Sequence, residues 1–358
     1  MNHLKYIIKL LIAVIIVTTT VSCDKDEPAQ PAYSNRTILV YIVANNSLGA
    51  ENYDETDINE MILASQNNNF NNGRLIIYHA PLGSKPTLKE IVDGKIITLK
   101  EYNTSLSSVE RKQMQQVIND TKLIAPAKDY GLILWSHANG WLQTGINEGA
   151  TPPIKYDKGN KSTLAFGDDQ GKQMNITTLA QILENEKFSF IYFDCCYMAT
   201  IEVMYELCHT TDYIIASATE IPADGMPYEQ NLPLLFSDTA LLELACANTF
   251  DYYNCKNGLL RSCAISLIDT HHIKELGEIT AQIYRYARPR GYRQPCSCRR
   301  RPVLGRLAVG LYAIFHGRFD HFGYDCLYAY YQLENRACGR TANPLIVVRG
   351  TVRVHAYA

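Results

Sequence analysis

The sequence has almost no net charge. It carries 34 basic and 36 acidic side chains over 358 residues, a formal charge of −2. No global field therefore points to nucleic acid, which is not an expected partner. Long apolar runs are scarce too. Leu10 to Val17 is too short to span a bilayer as a stable helix, and a polytopic membrane protein is excluded. With 47% hydrophobic and 20% charged residues, the chain is neither wholly disordered nor collagen-like. Its length suits one large domain or two small ones. The 11 cysteines form no compact disulfide framework, and Cys296-Ser297-Cys298 has no second pair to complete a zinc site. Lysine is missing after Lys274. Residues 285–358 hold 13 of the 17 arginines and only 3 acidic residues, so this segment is net +10 and residues 1–284 net −12.

Residues 1–22 read as an export leader. Lys5 and Lys9 precede the apolar run, and Thr18 to Ser22 is small. Val21-Ser22-Cys23 resembles the end of a bacterial lipobox, although Thr20 stands where leucine is usual. The resemblance implies lipidation at Cys23, and with it membrane association through an N-terminal lipid. Asp24-Lys25-Asp26-Glu27 resembles the surface-export signal of Bacteroidetes lipoproteins, which implies an outer-membrane, cell-surface location. The plainer alternative is an ordinary secretory leader cut nearby. Residues 23–35 then form a tether.

Residues 36–284 alternate between short apolar runs and amphipathic stretches. Thr37–Val43, Arg74–His79, Tyr130–Trp135, Phe188–Phe193 and Tyr213–Ala216 read as buried parallel strands. Asp57–Ser65, Leu106–Ile118, Thr177–Leu183 and Met198–Leu207 read as helices. The alternation predicts an α/β fold with a mostly parallel central sheet flanked by helices. Sites in such sheets form beyond the carboxyl ends of the strands.

Two strand ends carry chemistry. Ser136-His137-Ala138-Asn139-Gly140-Trp141 follows one apolar hexamer, and Asp194-Cys195-Cys196-Tyr197-Met198 follows another. A thiolate is a competent nucleophile, and a nearby imidazole supplies the base that generates it. Turns after strands expose N–H groups that can hold an acyl-transfer oxyanion.

This ordered pattern resembles the clostripain family of cysteine peptidases, in the superfamily of caspases, legumains and gingipains. The match extends to Glu202, to the stretch from Ser217 through Pro222, Gly225, Pro227 and Tyr228, and to Asn45-Asn46-Ser47-Leu48. The resemblance implies a caspase-like three-layer sandwich and a cysteine endopeptidase acting on protein or peptide substrates after Arg or Lys. It implies Cys196 as nucleophile, His137 as base, and the N–H groups of Ala138 and Cys196 around the oxyanion. Period-2 alternation agrees on the nucleophile: Cys195 and Phe193 point inward, and Asp194 and Cys196 share the exposed side. Asp194, Asp224 and Glu220 are the carboxylates that would receive a basic side chain. For Asp224 the plainer role is that of a turn residue before Gly225.

The family matures by self-cleavage. The polar stretch 148–173 is expected to be an exposed loop, with Lys155, Lys158 and Lys161 as candidate cut sites. No cofactor is required. Calcium remains possible at Asp168-Asp169, between Gly167 and Gly171. His137-Ala138 replaces the usual His-Gly, Asn45 replaces an aspartate, and Cys195 replaces an alanine. These departures keep a second reading alive: a catalytically inactive surface-binding lipoprotein. The tail 285–358 reads as a frameshifted C-terminus, the functional alternative being a basic arm.

Overall fold

The computed structural model describes residues 33–66, 70–140 and 165–287, together with two short strands at 346–347 and 354–357. Among the described residues twelve strands occur in chain order: β1 (Ser34–Val43), β2 (Arg74–Ala80), β3 (Thr87–Val92), β4 (Lys95–Glu101), β5 (Ala127–Trp135), β6 (Ala165–Asp169), β7 (Lys172–Asn175), β8 (Phe188–Asp194), β9 (Thr211–Ala216), β10 (Ile265–Asp269), β11 (Ile346–Val347) and β12 (Val354–Tyr357). Ten of them form one sheet in the order β11-β12-β10-β9-β8-β5-β1-β2-β3-β4, and β6-β7 is a separate hairpin. The five central strands, β9-β8-β5-β1-β2, are mutually parallel. Antiparallel strands close both flanks.

The alternation of β1 shows why three layers form. Leu39, Tyr41 and Val43 face one way, into a core shared with helices Arg111–Ile124, Ile176–Leu183 and Ile201–Leu207. Ile38, Val40 and Ile42 face the other way, toward helices Tyr53–Gln66, Tyr228–Leu235 and Leu242–Asn254. Each fully buried aliphatic or aromatic side chain contributes roughly 1.5–3 kcal/mol. Two apolar faces on one sheet thus hold the strand ends in place. Among the described residues no helix is long and apolar enough to cross a membrane.

The five expected strands are present, each within a few residues of its expected bounds. Two helices begin later than expected, for identifiable reasons. The helix expected from Leu106 starts at Arg111, because Ser107 Oγ and Ser108 N–H donate instead to Asp169 Oδ2, at 2.5 and 2.7 Å. The helix expected from Met198 starts at Ile201, because the Tyr197 and Ala199 N–H groups go to Thr219 and Ser217 carbonyls. The stretch 148–173 is not wholly a loop. Its end folds into β6 and the start of β7, where Ala165 and Phe166 are buried. Lys155, Lys158 and Lys161 lie outside the described residues, as do Cys23 and most of the segment after 287.

Candidate active site

The strand order reverses at β1. From β1 the chain adds β2 on one side and β5, β8 and β9 on the other. A crevice opens at such a reversal beyond the carboxyl ends. Here those ends deliver Asn45 to Leu48, Ser136 to Gly140 and Cys195 to Ala199. Strands β5 and β8 are parallel neighbours with Trp135 aligned to Asp194. His137 and Cys196 are each two residues past that aligned pair. Adjacent strands lie about 4.8 Å apart, so the register starts both loops side by side at the same height.

The histidine loop is fixed on both sides. Ser136 Oγ donates to Val43 O at 2.8 Å and accepts from Asp168 N at 3.1 Å. Ala138 forms a bridge with Phe166, carried by Asn139 N to Ala165 O at 3.0 Å and Gly167 N to His137 O at 2.9 Å. That bridge does not use the Ala138 N–H. Gly140 has φ +54, and a Cβ there would lie 2.0 Å from the Tyr197 carbonyl oxygen. The histidine and cysteine loops therefore meet backbone to backbone. Tyr197 itself has φ +62, an unusual conformation for a bulky residue, directly after Cys196.

The imidazole of His137 is held through Nε2, 2.9 Å from Ser47 Oγ. Asn46 places that serine. Its Oδ1 accepts from Leu48 N at 2.9 Å, and its Nδ2 donates to Val43 O at 2.9 Å and Asp168 O at 2.7 Å. The Asn-Asn-Ser-Leu motif was legible in the sequence, but Ser47 as a partner of His137 was not. Asn45, standing where aspartate is usual, donates to Asp169 Oδ1 at 2.7 Å.

Cys195 is 3% exposed and packs in the same core as Phe193, as alternation predicts. Cys196 is half-buried. Its Sγ accepts from Ile221 N at 3.4 Å and lies 3.8 Å from Ile221 O. Burial pushes the Cys196 thiol up, the Ile221 N–H draws it down, and the Glu220 and Asp194 carboxylates push it up again. Among the described residues the thiol and imidazole share no hydrogen bond. A loose dyad is common before substrate arrives.

The carboxylates separate into different environments. Asp194 is on the expected side of its strand but buried rather than exposed, at 5%. Its Oδ2 accepts from Met226 N at 3.0 Å and Tyr228 OH at 2.9 Å. Burial pushes its carboxyl up to about 6, against those two bonds. Asp57, 1% exposed, accepts from Trp135 Nε1 at 2.6 Å, and burial with the Asp194 charge drives it up as well. Both carboxylates close on Gly225: a Cβ there would lie 2.9 Å from Asp194 Oδ2 and 3.1 Å from Asp57 Oδ2. Sequence reasoning missed Asp57, because an aspartate in an amphipathic helix looks like a solvated one. Asp224, next to Gly225, is half-buried, and Glu220 is exposed beside Cys196. The loop from Ser217 to Pro227 thus runs from the thiol to the buried carboxylates.

Asp168 and Asp169 do not converge as cation ligands. Asp169 spends both oxygens on Asn45, Ser107 and Ser108, and Asp168 Oδ1 accepts from Gly171 N at 2.7 Å. The residues at this turn do not fit a calcium ion. The side chains of Asp54, Glu55 and His79 come together elsewhere, but Lys89 Nζ lies 3.0 Å from the second ring nitrogen of His79.

The sheet flanked by helices on both faces, with loops bearing His137 and Cys196 at adjacent strand ends, is a caspase-like α/β fold. The sequence profile of the clostripain family matches residues 40–293, and the chain belongs to that family. Three solved structures are similar. An inactive zymogen C11 protease from Parabacteroides distasonis is 28% identical, with TM-score 0.59, over 71% of this chain and 67% of that one. A secreted C11 cysteine protease from Bacteroides thetaiotaomicron, in complex with an irreversible peptide inhibitor, is 30% identical, with TM-score 0.58, over 71% of each chain. A structure described as a secreted C11 cysteine protease of that organism, iotapain, is 26% identical, with TM-score 0.62, over 72% of each chain. No curated protein matches. The family match ends at 293, so most of the arginine-rich tail falls outside it.

Proposed function

We propose that this protein is an exported cysteine endopeptidase that cleaves after Arg or Lys, using Cys196 and His137. The observation that carries the reading is the register of β5 and β8, which starts the two loops side by side. His137 Nε2 is taken by Ser47, which leaves Nδ1 as the nitrogen that meets the thiol. In the acylation step His137 accepts the Cys196 proton and Sγ attacks the scissile carbonyl. The proton then passes to the leaving amine, and water releases the acyl group. The Cys196 and Ala138 N–H groups face the developing oxyanion. Asp194 and Asp224 supply the negative charge for a basic side chain, and Glu220 lies at the rim.

Maturation by a cut after Lys155, Lys158 or Lys161 fits a basic specificity. Export rests on the leader and on the secreted C11 protease structures of Bacteroides thetaiotaomicron that it resembles, and lipidation at Cys23 on the lipobox-like residues alone. No observation here favours the inactive-binder reading. Ala138 has a buried, bridged place in the loop, so replacing glycine has not broken it.

The test is a panel of fluorogenic peptides ending in Arg, Lys, Asp or a neutral residue. Cleavage confined to Arg and Lys is expected; cleavage after Asp alone overturns the specificity. The pH dependence adds a sign. Asp194 attracts a cation only when ionised. The ratio of kcat/KM for basic over neutral substrates should therefore fall as pH drops through about 6. Taking this ratio cancels the titration of thiol and imidazole. In stability the same group works the other way. Its proton is held more tightly in the folded state, so it favours folding at low pH and that advantage is lost as pH rises from the ordinary carboxylate range through about 6.

Ser47 is a positioning residue. Ser47→Ala should lower kcat by up to about tenfold, the worth of one net hydrogen bond, with KM unmoved. Ser47→Thr should restore most of it. A change in KM alone would show that Ser47 acts on substrate and not on His137.

A further inference from the structure

Asp224 does not stand free. Its Oδ2 accepts from Lys256 Nζ at 3.1 Å and has Tyr252 OH at 3.5 Å. The same ammonium donates to Tyr252 OH at 2.9 Å and sits 4.2 Å from the centroid of the Tyr252 ring. Lys256 follows directly on helix Leu242–Asn254 and its cap residue Cys255. Tyr253, the residue beside Tyr252, donates to Gly225 O at 2.5 Å. The end of this helix is thus fastened to the segment from Pro222 to Gly225.

The surroundings of this pair are negative. Asp57, Glu60, Asp194 and Asp224 lie close enough that Asp57 is pushed up by the charges of all three others. Lys256 is the ammonium that answers them at Asp224. Yet it contributes little to the fold. The Lys256 and Asp224 side chains are 30% and 29% exposed. An ion pair so open to water is worth at most about 1 kcal/mol. A pair that stabilises so little and stays within reach of solvent is readily exchanged. Its chemistry, an ammonium on a carboxylate over a tyrosine face, is that of a bound substrate lysine.

We propose that Lys256 is a specificity-determining residue, an internal cation that occupies Asp224 and competes with the basic side chain of the substrate. The inference rests on the peptidase reading and deepens it. In the resting enzyme Lys256 neutralises Asp224, and Asp194 is the carboxylate left to attract the incoming cation. When a basic substrate binds, its cation must displace Lys256 from Asp224. Each basic substrate therefore binds more weakly than the two carboxylates alone would allow, and neutral substrates carry no such deficit.

The experiment compares full-length protein with Lys256→Met, Lys256→Arg, Asp224→Asn and the Asp224→Asn/Lys256→Met double variant. Methionine keeps the length and apolar stem without the charge. The expected result for Lys256→Met is a rise of up to about fivefold in kcat/KM for Arg and Lys substrates, carried by KM, the worth of one released ion pair this open to water. Lys256→Arg should stay near wild type. In the Asp224→Asn background the Lys256→Met gain should vanish, because its target carboxylate is gone. A fall in kcat/KM for basic substrates in Lys256→Met overturns the proposal and makes Lys256 a brace for Asp224. A gain shared equally by neutral substrates, or one that persists without Asp224, also overturns it. A wild-type enzyme that is active on the panel but indifferent to Arg and Lys would sink the basic specificity itself, and this inference with it. Unchanged Lys256→Met kinetics on a wild type selective for Arg and Lys would sink the inference alone.

Discussion

Cys196→Ala is expected to remove peptidase activity by at least ~10^4-fold, and Cys195→Ala to leave most of it. The two cysteines are neighbours in sequence and opposites in space. Cys195 is packed beside Phe193 in the core between the sheet and helices Arg111–Ile124, Ile176–Leu183 and Ile201–Leu207. Burial pushes its thiol well up, and it functions as a small hydrophobe. Removing its sulfur leaves a small void and costs about 1 kcal/mol of stability. Cys196 is half-buried, and its Sγ lies against Ile221, at the start of the run that ends on Asp194 and Asp224. The check has two readouts. One is cleavage of an Arg substrate; the other is covalent labelling by an arginine chloromethylketone, followed by mass. Labelling of wild type and Cys195→Ala, but not of Cys196→Ala, is expected. Labelling retained in Cys196→Ala and lost in Cys195→Ala would reverse the assignment.

Gly140→Ala should cost about two orders of magnitude in activity without touching a reacting atom. Gly140 needs φ +54, and a Cβ would stand 2.0 Å from the Tyr197 carbonyl oxygen. The left-handed conformation costs an alanine about 1–2 kcal/mol, and the collision adds about 1–3 kcal/mol unless the backbone gives way. The backbone that gives way is the turn next to Cys196. A displacement of about 1 Å at the reacting groups is worth roughly 10²-fold in rate. The melting temperature should fall by several degrees, since each kcal/mol is worth about 2–4 °C in a domain of this size. Activity measured well below that temperature should still be down by about two orders of magnitude. Wild-type turnover in a variant that is only less heat-stable would show that the two loops are not mechanically coupled.

Much of this was legible in the residues. The central strands declare themselves because strands covered on both faces must be apolar throughout, as FSFIYF and YGLILW are. His137 and Cys196 declare themselves by following such runs. What stayed hidden was of two kinds. Strands β3 and β4 lie at an edge and carry exposed, polar residues, so no pattern sets them apart. The partners were hidden too: Ser47 on His137, Asp57 beside Asp194, Lys256 on Asp224. Each pair spans at least 32 residues of chain and is created by tertiary packing, which local periodicity does not contain. The start of the helix at Arg111 was misread for the same reason. Its would-be first turn is taken by Asp169, far along the chain.

The bridge between Ala138 and Phe166 has a mechanical consequence. Asn139 N donates to Ala165 O at 3.0 Å, so the residues flanking the segment from 141 to 164 are held at one clasp. A cut anywhere within that segment would divide the polypeptide and leave the particle whole. β5 on one piece would still be laced to β8 on the other, with both apolar layers undisturbed. A nicked molecule would elute as one body and part into two only when unfolded.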